Sequence, residues 1–187
     1  MKILILSIFC VATFLNQAHC QIDKGSLLLG GDFSFSSETE TQKQGSASET
    51  NSLIRVAPRL GYAFNDRFVL GGFLSFDFEP GLRSSTTTLK IGPFVRYYYP
   101  LNFNTYLLGE TTFGYGFTKT STSNGADDPI ITLTDFSAGP GLSYFVTQSF
   151  AVEALFKYAY TNSLVSGQSS SKGGVQFSVG IQFFLNK

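Results

Sequence analysis

Large apolar side chains alternate with small or charged ones along most of this chain. Between Leu53 and Phe64, every second position is large and apolar, and the positions between them are mostly small or charged. A period of two residues is that of a β-strand whose two faces meet different surroundings. The same alternation recurs in other segments. It predicts eight strands, over Leu27–Phe35, Leu53–Phe64, Phe68–Glu79, Leu89–Tyr99, Leu107–Phe117, Asp135–Tyr144, Phe150–Thr161 and Val175–Leu185.

The segments between these strands are short and long in turn. Asn65–Arg67, Pro100–Asn104 and Val146–Ser149 are tight, whereas the other connections are longer and rich in Ser, Thr, Gly and Asn. This layout is typical of a membrane-spanning barrel that has its short turns on one side of the bilayer and its long loops on the other. The predicted long loops are Glu38–Asn51, Pro80–Thr87, Lys119–Pro129 and Asn162–Lys172.

The amino-acid composition favours strands that face lipid. Charged residues make up 14% of the chain and aromatic residues 16%, whereas soluble domains carry about 25% charged residues. Aromatic side chains suit the pleated surface of a strand. Lysine plus arginine balance aspartate plus glutamate, 13 against 13, and the basic residues form no stripe. No nucleic acid is therefore expected as a partner.

The beginning of the chain has the pattern of a secretory signal. Lys2 precedes a mostly apolar stretch, Ile3–Leu15, and the Ala-His-Cys run at 18–20 is similar to a cleavage site. The sequence thus predicts a signal peptide over residues 1–20 and an outer-membrane β-barrel domain over residues 21–187. The alternative is a lipoprotein acylated at Cys20.

Cleavage would change the chemistry that the mature domain can perform. His19 is the one histidine of the chain, and Cys10 and Cys20 are its two cysteines. All three would leave with the signal peptide. The mature domain would then have no imidazole base, no disulfide and no thiolate metal site. We therefore expect no cofactor, no metal and no catalytic residue.

A weak internal repeat marks three of the predicted strands. Pro58, Pro93 and Pro140 are each followed four residues later by a tyrosine and then by a short turn. Proline cannot donate a hydrogen bond to a strand ladder, and a closed barrel has no free edge to accommodate it. The three prolines therefore predict bulges or locally broken pairs.

At this point the sequence resembles the small outer-membrane β-barrels of the OmpA/OmpX type, and most of all their single-domain Bacteroidota-like relatives. The signal followed by Gln21, the Pro-x-x-x-Tyr units and the apolar end at Val179–Leu185 carry the resemblance. It implies an all-β, eight-stranded antiparallel up-and-down transmembrane barrel at the cell surface of a bacterium. It also implies a monomer that is surrounded by outer-membrane lipid, is inserted by the barrel-assembly machinery, and has an extracellular ligand or host surface as partner.

The predicted inward face carries a nearly balanced set of charges. Charges inside so narrow a barrel must pair, because an unpaired buried ion costs several kcal/mol. We predict that they form an ion-paired network that plugs the lumen, with Arg55, Arg59, Arg96, Glu110 and Glu153 at its centre. The alternative is an ion path lined by the same groups. The full set is Asp32, Arg55, Arg59, Asp77, Glu79, Lys90, Arg96, Glu110, Asp135, Glu153 and Lys157.

Two weaker patterns could mark further sites. Asp77 and Glu79 share one predicted face and could form a histidine-free carboxylate site, and Asp127 with Asp128 and Asn124 could bind Ca²⁺. Solvated side chains explain both patterns more simply. We therefore predict a non-enzymatic surface protein that presents four extracellular loops or supports envelope integrity. The alternative is a narrow porin-like channel for ions or small solutes.

Overall fold

Eight long strands make up the computed structural model, which describes residues 22–40, 49–80, 84–122, 131–165 and 168–185. The predicted signal peptide lies outside these residues. No helix in the described ranges is both long and apolar enough to cross a membrane. The strands are β1 Leu27–Glu40, β2 Glu49–Asn65, β3 Phe68–Pro80, β4 Ser84–Pro100, β5 Thr105–Thr122, β6 Ile131–Phe145, β7 Phe150–Val165 and β8 Gln168–Leu185.

The strands form one closed barrel in chain order. Each strand pairs antiparallel with the next, and β8 pairs antiparallel with β1 to complete the ring. The predicted fold class, an eight-stranded antiparallel up-and-down barrel, is confirmed. We call the end with the connections 66–67, 101–104 and 146–149 the turn end, and the opposite end the loop end.

The direction of the side chains follows the predicted alternation. On β2, Arg59 is 4% exposed and its neighbour Leu60 is 59% exposed. On β4, Lys90 is 4% exposed and Ile91 is 63% exposed. At these positions the charged side chains point into the barrel and the large apolar ones point out of it, the reverse of a soluble protein and the arrangement that a lipid environment requires.

The strands extend further toward the loop end than the sequence pattern indicates. The predicted loop Asn162–Lys172 is mostly strand, because β7 runs to Val165 and β8 begins at Gln168. The predicted loops Glu38–Asn51, Pro80–Thr87 and Lys119–Pro129 are likewise shortened by their flanking strands. Serine and threonine dominate these extensions, so no apolar alternation marks them. The predicted boundaries of the four long loops were therefore wrong.

The three prolines interrupt the ladder without shifting its register. Around Pro58, the pairs of β2 and β3 skip from Val56–Phe76 to Arg59–Phe73. The β4–β5 ladder skips two pairs at Pro93, and the β6–β7 ladder skips two pairs at Pro140. In the ladder that its strand forms with the preceding strand, each proline lies opposite a glycine. The predicted local breaks are therefore present, and at these positions they are broken pairs rather than bulges.

The segment before β1 folds back under the turn end of the barrel. The N–H of Gly25 donates to the Ala63 carbonyl at 2.8 Å, and the N–H of Ala63 donates to the Ser26 carbonyl at 2.9 Å. Gly25 has φ +97°, a left-handed conformation that glycine adopts without steric cost. This turn brings Ile22, which is 1% exposed, into the apolar core of the barrel.

Candidate functional site

Six charged side chains meet in the middle of the barrel, and we call them the central ion cluster. They are Asp32, Arg59, Arg96, Glu110, Glu153 and Lys157, and all are buried. Arg96 lies opposite Glu110 in the β4–β5 ladder, and its Nε donates to Glu110 Oε2 at 2.6 Å. Its Nη1 reaches across the lumen to Glu153 Oε2 at 2.7 Å. Arg96 thus joins two carboxylates on different strands.

Glu110 is the shared acceptor of the central ion cluster. Besides Arg96, it accepts from Arg59 Nη1 at 2.7 Å and from Lys157 Nζ at 2.8 Å. Asp32 contacts Arg59 Nη2 and lies 3.7 Å from Arg96 Nη2. The cluster therefore contains three acids and three bases that are mutually paired. Pairing of this kind compensates the desolvation cost of buried charge.

A second group of charges lies closer to the loop end, and we call it the loop-end ion cluster. It consists of Arg55, Asp77, Lys90 and Asp135. Arg55 donates two hydrogen bonds to Asp77, both at 2.7 Å. Lys90 Nζ lies between the two carboxylates, 3.0 Å from Asp77 and 3.8 Å from Asp135. Glu79 lines the cavity above this cluster.

The structure thus divides the predicted charge set into two clusters. The expectation that Arg55 belongs with Arg59 and Arg96 was wrong. Arg55 is two inward positions nearer the loop end than Arg59, and it contacts Asp77 and Gln176. Asp77 is also occupied by Ser75 Oγ at 2.6 Å, so it is not a free carboxylate for catalysis.

Sequence reasoning missed an aromatic layer below the central ion cluster. Phe94, Tyr98, Tyr106, Phe145 and Phe184 all point inward and are at most 8% exposed. Tyr98, Tyr106, Phe145 and Phe184 pack with ring centroids 5.3 to 6.4 Å apart. The available signal was the presence of large rings at inward positions in the turn-end halves of their strands.

Phe94 and Tyr98 connect the aromatic layer to the central ion cluster. The guanidinium carbons of Arg59 and Arg96 each lie 5.3 Å from the centroid of Phe94, within cation–π range. The hydroxyl of Tyr98 donates to Glu153 Oε1 at 3.0 Å and accepts from Arg96 Nη1 at 3.2 Å. Charged and aromatic side chains therefore pack as one continuous body across the turn-end half of the barrel.

A cavity of about 510 Å³ lies above the loop-end ion cluster, and we call it the vestibule. Threonines line much of its wall, and Thr88 and Thr118 share a hydrogen bond of 2.7 Å across β4 and β5. Its floor contains the Arg55–Asp77 pair. A smaller cavity of about 20 Å³ lies beneath it and reaches Arg59. The vestibule offers hydroxyls and paired charges to a small polar group.

The described residues contain no group of three or more His, Cys, Asp and Glu that could hold a metal ion. Asn124, Asp127 and Asp128, the weak Ca²⁺ pattern, lie outside the described residues.

Comparisons with solved structures agree with this fold. Neisserial surface protein A is 14% identical, with 86% of this chain and 97% of that chain covered at a TM-score of 0.53. The N-terminal barrel domain of Pseudomonas aeruginosa OprF is 13% identical, with 85% and 97% covered at a TM-score of 0.51. The outer membrane protein OprG of the same organism is 12% identical, with 88% and 98% covered at 0.53.

A family comparison identifies the chain more specifically. No curated protein matches it. The family model described as "Outer membrane protein beta-barrel domain" matches residues 4–183, which is most of the chain. The lipid-facing apolar surface and the inward charges are what that environment requires. The chain therefore belongs to the family of outer membrane protein β-barrel domains of the bacterial outer membrane.

Proposed function

We propose that this protein is a non-enzymatic surface barrel that anchors its loop-end connections outside the cell for contact with an extracellular ligand or host surface, or for envelope integrity. Residues 21–187 would form the mature domain after cleavage of a signal peptide over residues 1–20. The barrel-assembly machinery would insert the domain, as a monomer, into outer-membrane lipid. The loop end would face outward and the turn end the periplasm.

The packing inside the turn-end half of the barrel is the observation that carries this proposal. Arg96, Tyr98 and Glu153 are each at most 1% exposed and bond to one another. Phe94 and Phe184 are equally buried. An eight-stranded barrel is just wide enough for side chains to fill its interior. A filled interior supports a plugged lumen, and a plugged lumen leaves the loop end as the part that meets other molecules.

The loop end has the character of a water-exposed recognition surface. Ser84–Thr88 of β4 pairs with Thr118–Thr122 of β5, so that hydroxyl-bearing residues form nine of the ten positions in this ladder. Residues 168–172 of β8, which pair with the end of β7, are also all polar. Polar strands that continue beyond the apolar band would raise the connections above the lipid headgroups.

Loop replacement in cells tests the proposed role. Residues 41–48 and 123–130 would each be replaced by a short Gly-Asn-Gly linker. We expect the cells to lose adhesion to an epithelial monolayer, or survival in bile salts, while the amount of folded barrel in the outer membrane is unchanged. The matched control changes the turn-end residues Asn102 and Asn104 to serine, which should leave both readouts intact. Equal behaviour of the loop and control variants would contradict the proposal.

A narrow channel is the second candidate, and the vestibule favours it. The vestibule and the smaller cavity beneath it extend along the lumen as far as Arg59. A rearrangement of the central ion cluster would be needed to continue the path to the turn end. If the protein is a channel, cells that lack it should lose solute uptake, and a barrel with the same loop replacements should restore that uptake. This result would favour the channel over the surface role.

A further inference from the structure

The connections at the turn end differ in the side chains that they expose. Connection 66–67 consists of two charged residues, Asp66 and Arg67, and Lys24 lies beside it, because its backbone N–H donates to Asp66 Oδ1 at 3.1 Å. Connection 101–104 instead carries Leu101 and Phe103, which are 53% and 80% exposed. Phe103 has the largest exposed fraction of any large hydrophobic side chain in the described part of the chain. The β4–β5 connection is therefore apolar where the β2–β3 connection is charged.

Backbone hydrogen bonds give β2, β4 and β6 a common reference level at the turn end. Ala63, Tyr98 and Phe145 each lie five residues after the proline of their strand. Each donates its N–H to the carbonyl of the residue immediately before the preceding strand. The acceptors are Ser26, Arg67 and Asn104, at 2.8 to 2.9 Å. These three donors are equivalent points from which the lipid-facing surfaces of the three strands can be compared.

The lipid-facing band is longer on β4 than on β2 or β6. Every second residue is apolar or aromatic over 54–64 on β2 and over 136–146 on β6. Each of these two bands spans eleven residues, within the about 9–11 that a tilted strand needs to cross the hydrocarbon. On β4 the same pattern runs for thirteen residues, over 89–101.

The excess on β4 lies entirely at the turn end. All three bands begin nine residues before the reference level, at Ile54, Leu89 and Phe136. The position that follows the last residue of the band with the same parity is Asp66 for β2 and Gln148 for β6, whereas for β4 it is Phe103. The apolar surface thus stops at the reference level on two hairpins and continues past it on the third.

Leu101 continues the lipid-facing surface without a polar break. It follows Tyr97 and Tyr99 on the outer face of β4, and Tyr99 lies opposite Leu107 in the β4–β5 ladder. All four side chains are between 43% and 53% exposed. An apolar patch that binds a protein commonly has a polar rim. This patch instead merges with the surface that contacts lipid.

The backbone of connection 101–104 suits surroundings with little water. The N–H groups of Leu101 and Asn102 both donate to the Thr105 carbonyl, at 2.9 and 3.2 Å. The N–H of Asn104 donates to Asn102 Oδ1 at 3.3 Å, and its carbonyl accepts from Phe145. Where lipid replaces water, polar backbone groups need partners within the protein. Most of those in this connection have one.

We propose that connection 101–104 inserts into the lipid leaflet at the turn end, with Leu101 and Phe103 among the acyl chains close to the head groups. Connection 66–67 stays in water, because placing the charges of Asp66 and Arg67 in lipid is costly. The turn end therefore meets the membrane unevenly, and the β4–β5 hairpin anchors the barrel in the leaflet on its own side. A soluble protein that binds the exposed Phe103 is the competing occupant.

Fluorescence quenching in lipid vesicles tests the proposal. The chain has no tryptophan, so Phe103→Trp gives a single reporter. The refolded variant is placed in vesicles of phosphatidylcholine that carries bromine on its acyl chains near the head group. Leu107→Trp is the reference for a lipid-facing position, and Arg67→Trp is the matched control on the charged connection. Leu101→Trp replaces Phe103→Trp if the latter lacks the heat-dependent gel shift of a folded barrel.

We expect brominated lipid to remove nearly the same fraction of the fluorescence from Phe103→Trp as from Leu107→Trp, and much less from Arg67→Trp. Acrylamide, which quenches from water, should give the opposite order. Strong quenching of both connections by brominated lipid would overturn the proposal, because tryptophan itself would then be drawing each turn into the membrane. Weak quenching of both would overturn it as well, and would leave Phe103 in water for a protein partner.

Discussion

Replacing Arg96 with methionine should lower the free energy of unfolding by about 3–5 kcal/mol, the usual cost of removing one partner from a buried ion pair. Arg96 is fully buried and is bonded to Glu110 at 2.6 Å and to Glu153 at 2.7 Å. Glu110 keeps Arg59 and Lys157 after the change, whereas Glu153 loses its arginine partner and keeps the hydroxyl of Tyr98, which is not a cation. Urea unfolding in lipid vesicles, followed by the heat-dependent shift of the folded barrel on a gel, measures the loss.

Two further variants identify the source of this loss. Arg67→Met removes an arginine from an exposed turn and should change stability by no more than about 0.5 kcal/mol. The double variant Arg96→Met with Glu153→Met removes the stranded carboxylate as well, so it should be less destabilised than the sum of the two single changes. Additive effects would show that Arg96 and Glu153 do not interact, contrary to the contact described above.

Placing an arginine on the lipid-facing surface should have an effect nearly as large. Ile91 is 63% exposed on the outer face of β4 and lies between Leu74 and Tyr115 in the ladder. Ile91→Arg should destabilise the barrel by about 2–4 kcal/mol, as expected for a cation near the middle of the bilayer. Because this cost arises from lipid, it should be seen in vesicles by the same urea titration.

Thr87→Arg is the matched control on the same face of the same strand, four residues nearer the loop end. It should cost at most about 1 kcal/mol, the value near the membrane interface, and a small part of that comes from Lys119 opposite it in the ladder. Equal costs at positions 87 and 91 would mean that the apolar outer surface is not the one that contacts lipid.

The alternation of side chains was enough to predict the barrel and the direction of each strand, because lipid outside and charge inside impose opposite preferences on neighbouring residues. Arg59 and Leu60 illustrate this, since their burial follows directly from their parity. The ends of the strands could not be predicted in the same way. Beyond the lipid both faces of a strand meet water, so the serine and threonine runs at 84–88 and 169–171 show no alternation that would reveal them as strand.

The pairing of the inward charges could not be predicted because it depends on register and on the stagger between strands. Arg96 and Glu110 are neighbours across one short turn, so their contact follows once the β4–β5 register is known. Arg96 and Glu153 are 57 residues apart in sequence and meet across the lumen. That contact requires the closed barrel. The β1–β8 ladder, which ends at Ser34–Ser178, is likewise a property of the closure and leaves no mark on the alternation.

The interior has an order that bears on the proposed function. Aromatic rings fill the turn end, paired charges occupy the middle, and a hydroxyl-lined vestibule lies toward the loop end. The aromatic layer supplies packing and the central ion cluster supplies paired charge, and both support a rigid anchor. The vestibule is where the structure leaves space for another molecule, and it is on the side that we propose faces out of the cell.

Single-channel recording of residues 21–187, refolded and inserted into a planar bilayer, is the most direct test of the claim that the lumen is plugged. We expect no steady openings from protein whose folding is confirmed by its heat-dependent gel shift. Reproducible openings of constant conductance from the unaltered chain would contradict that claim and make the inward charges the lining of a channel.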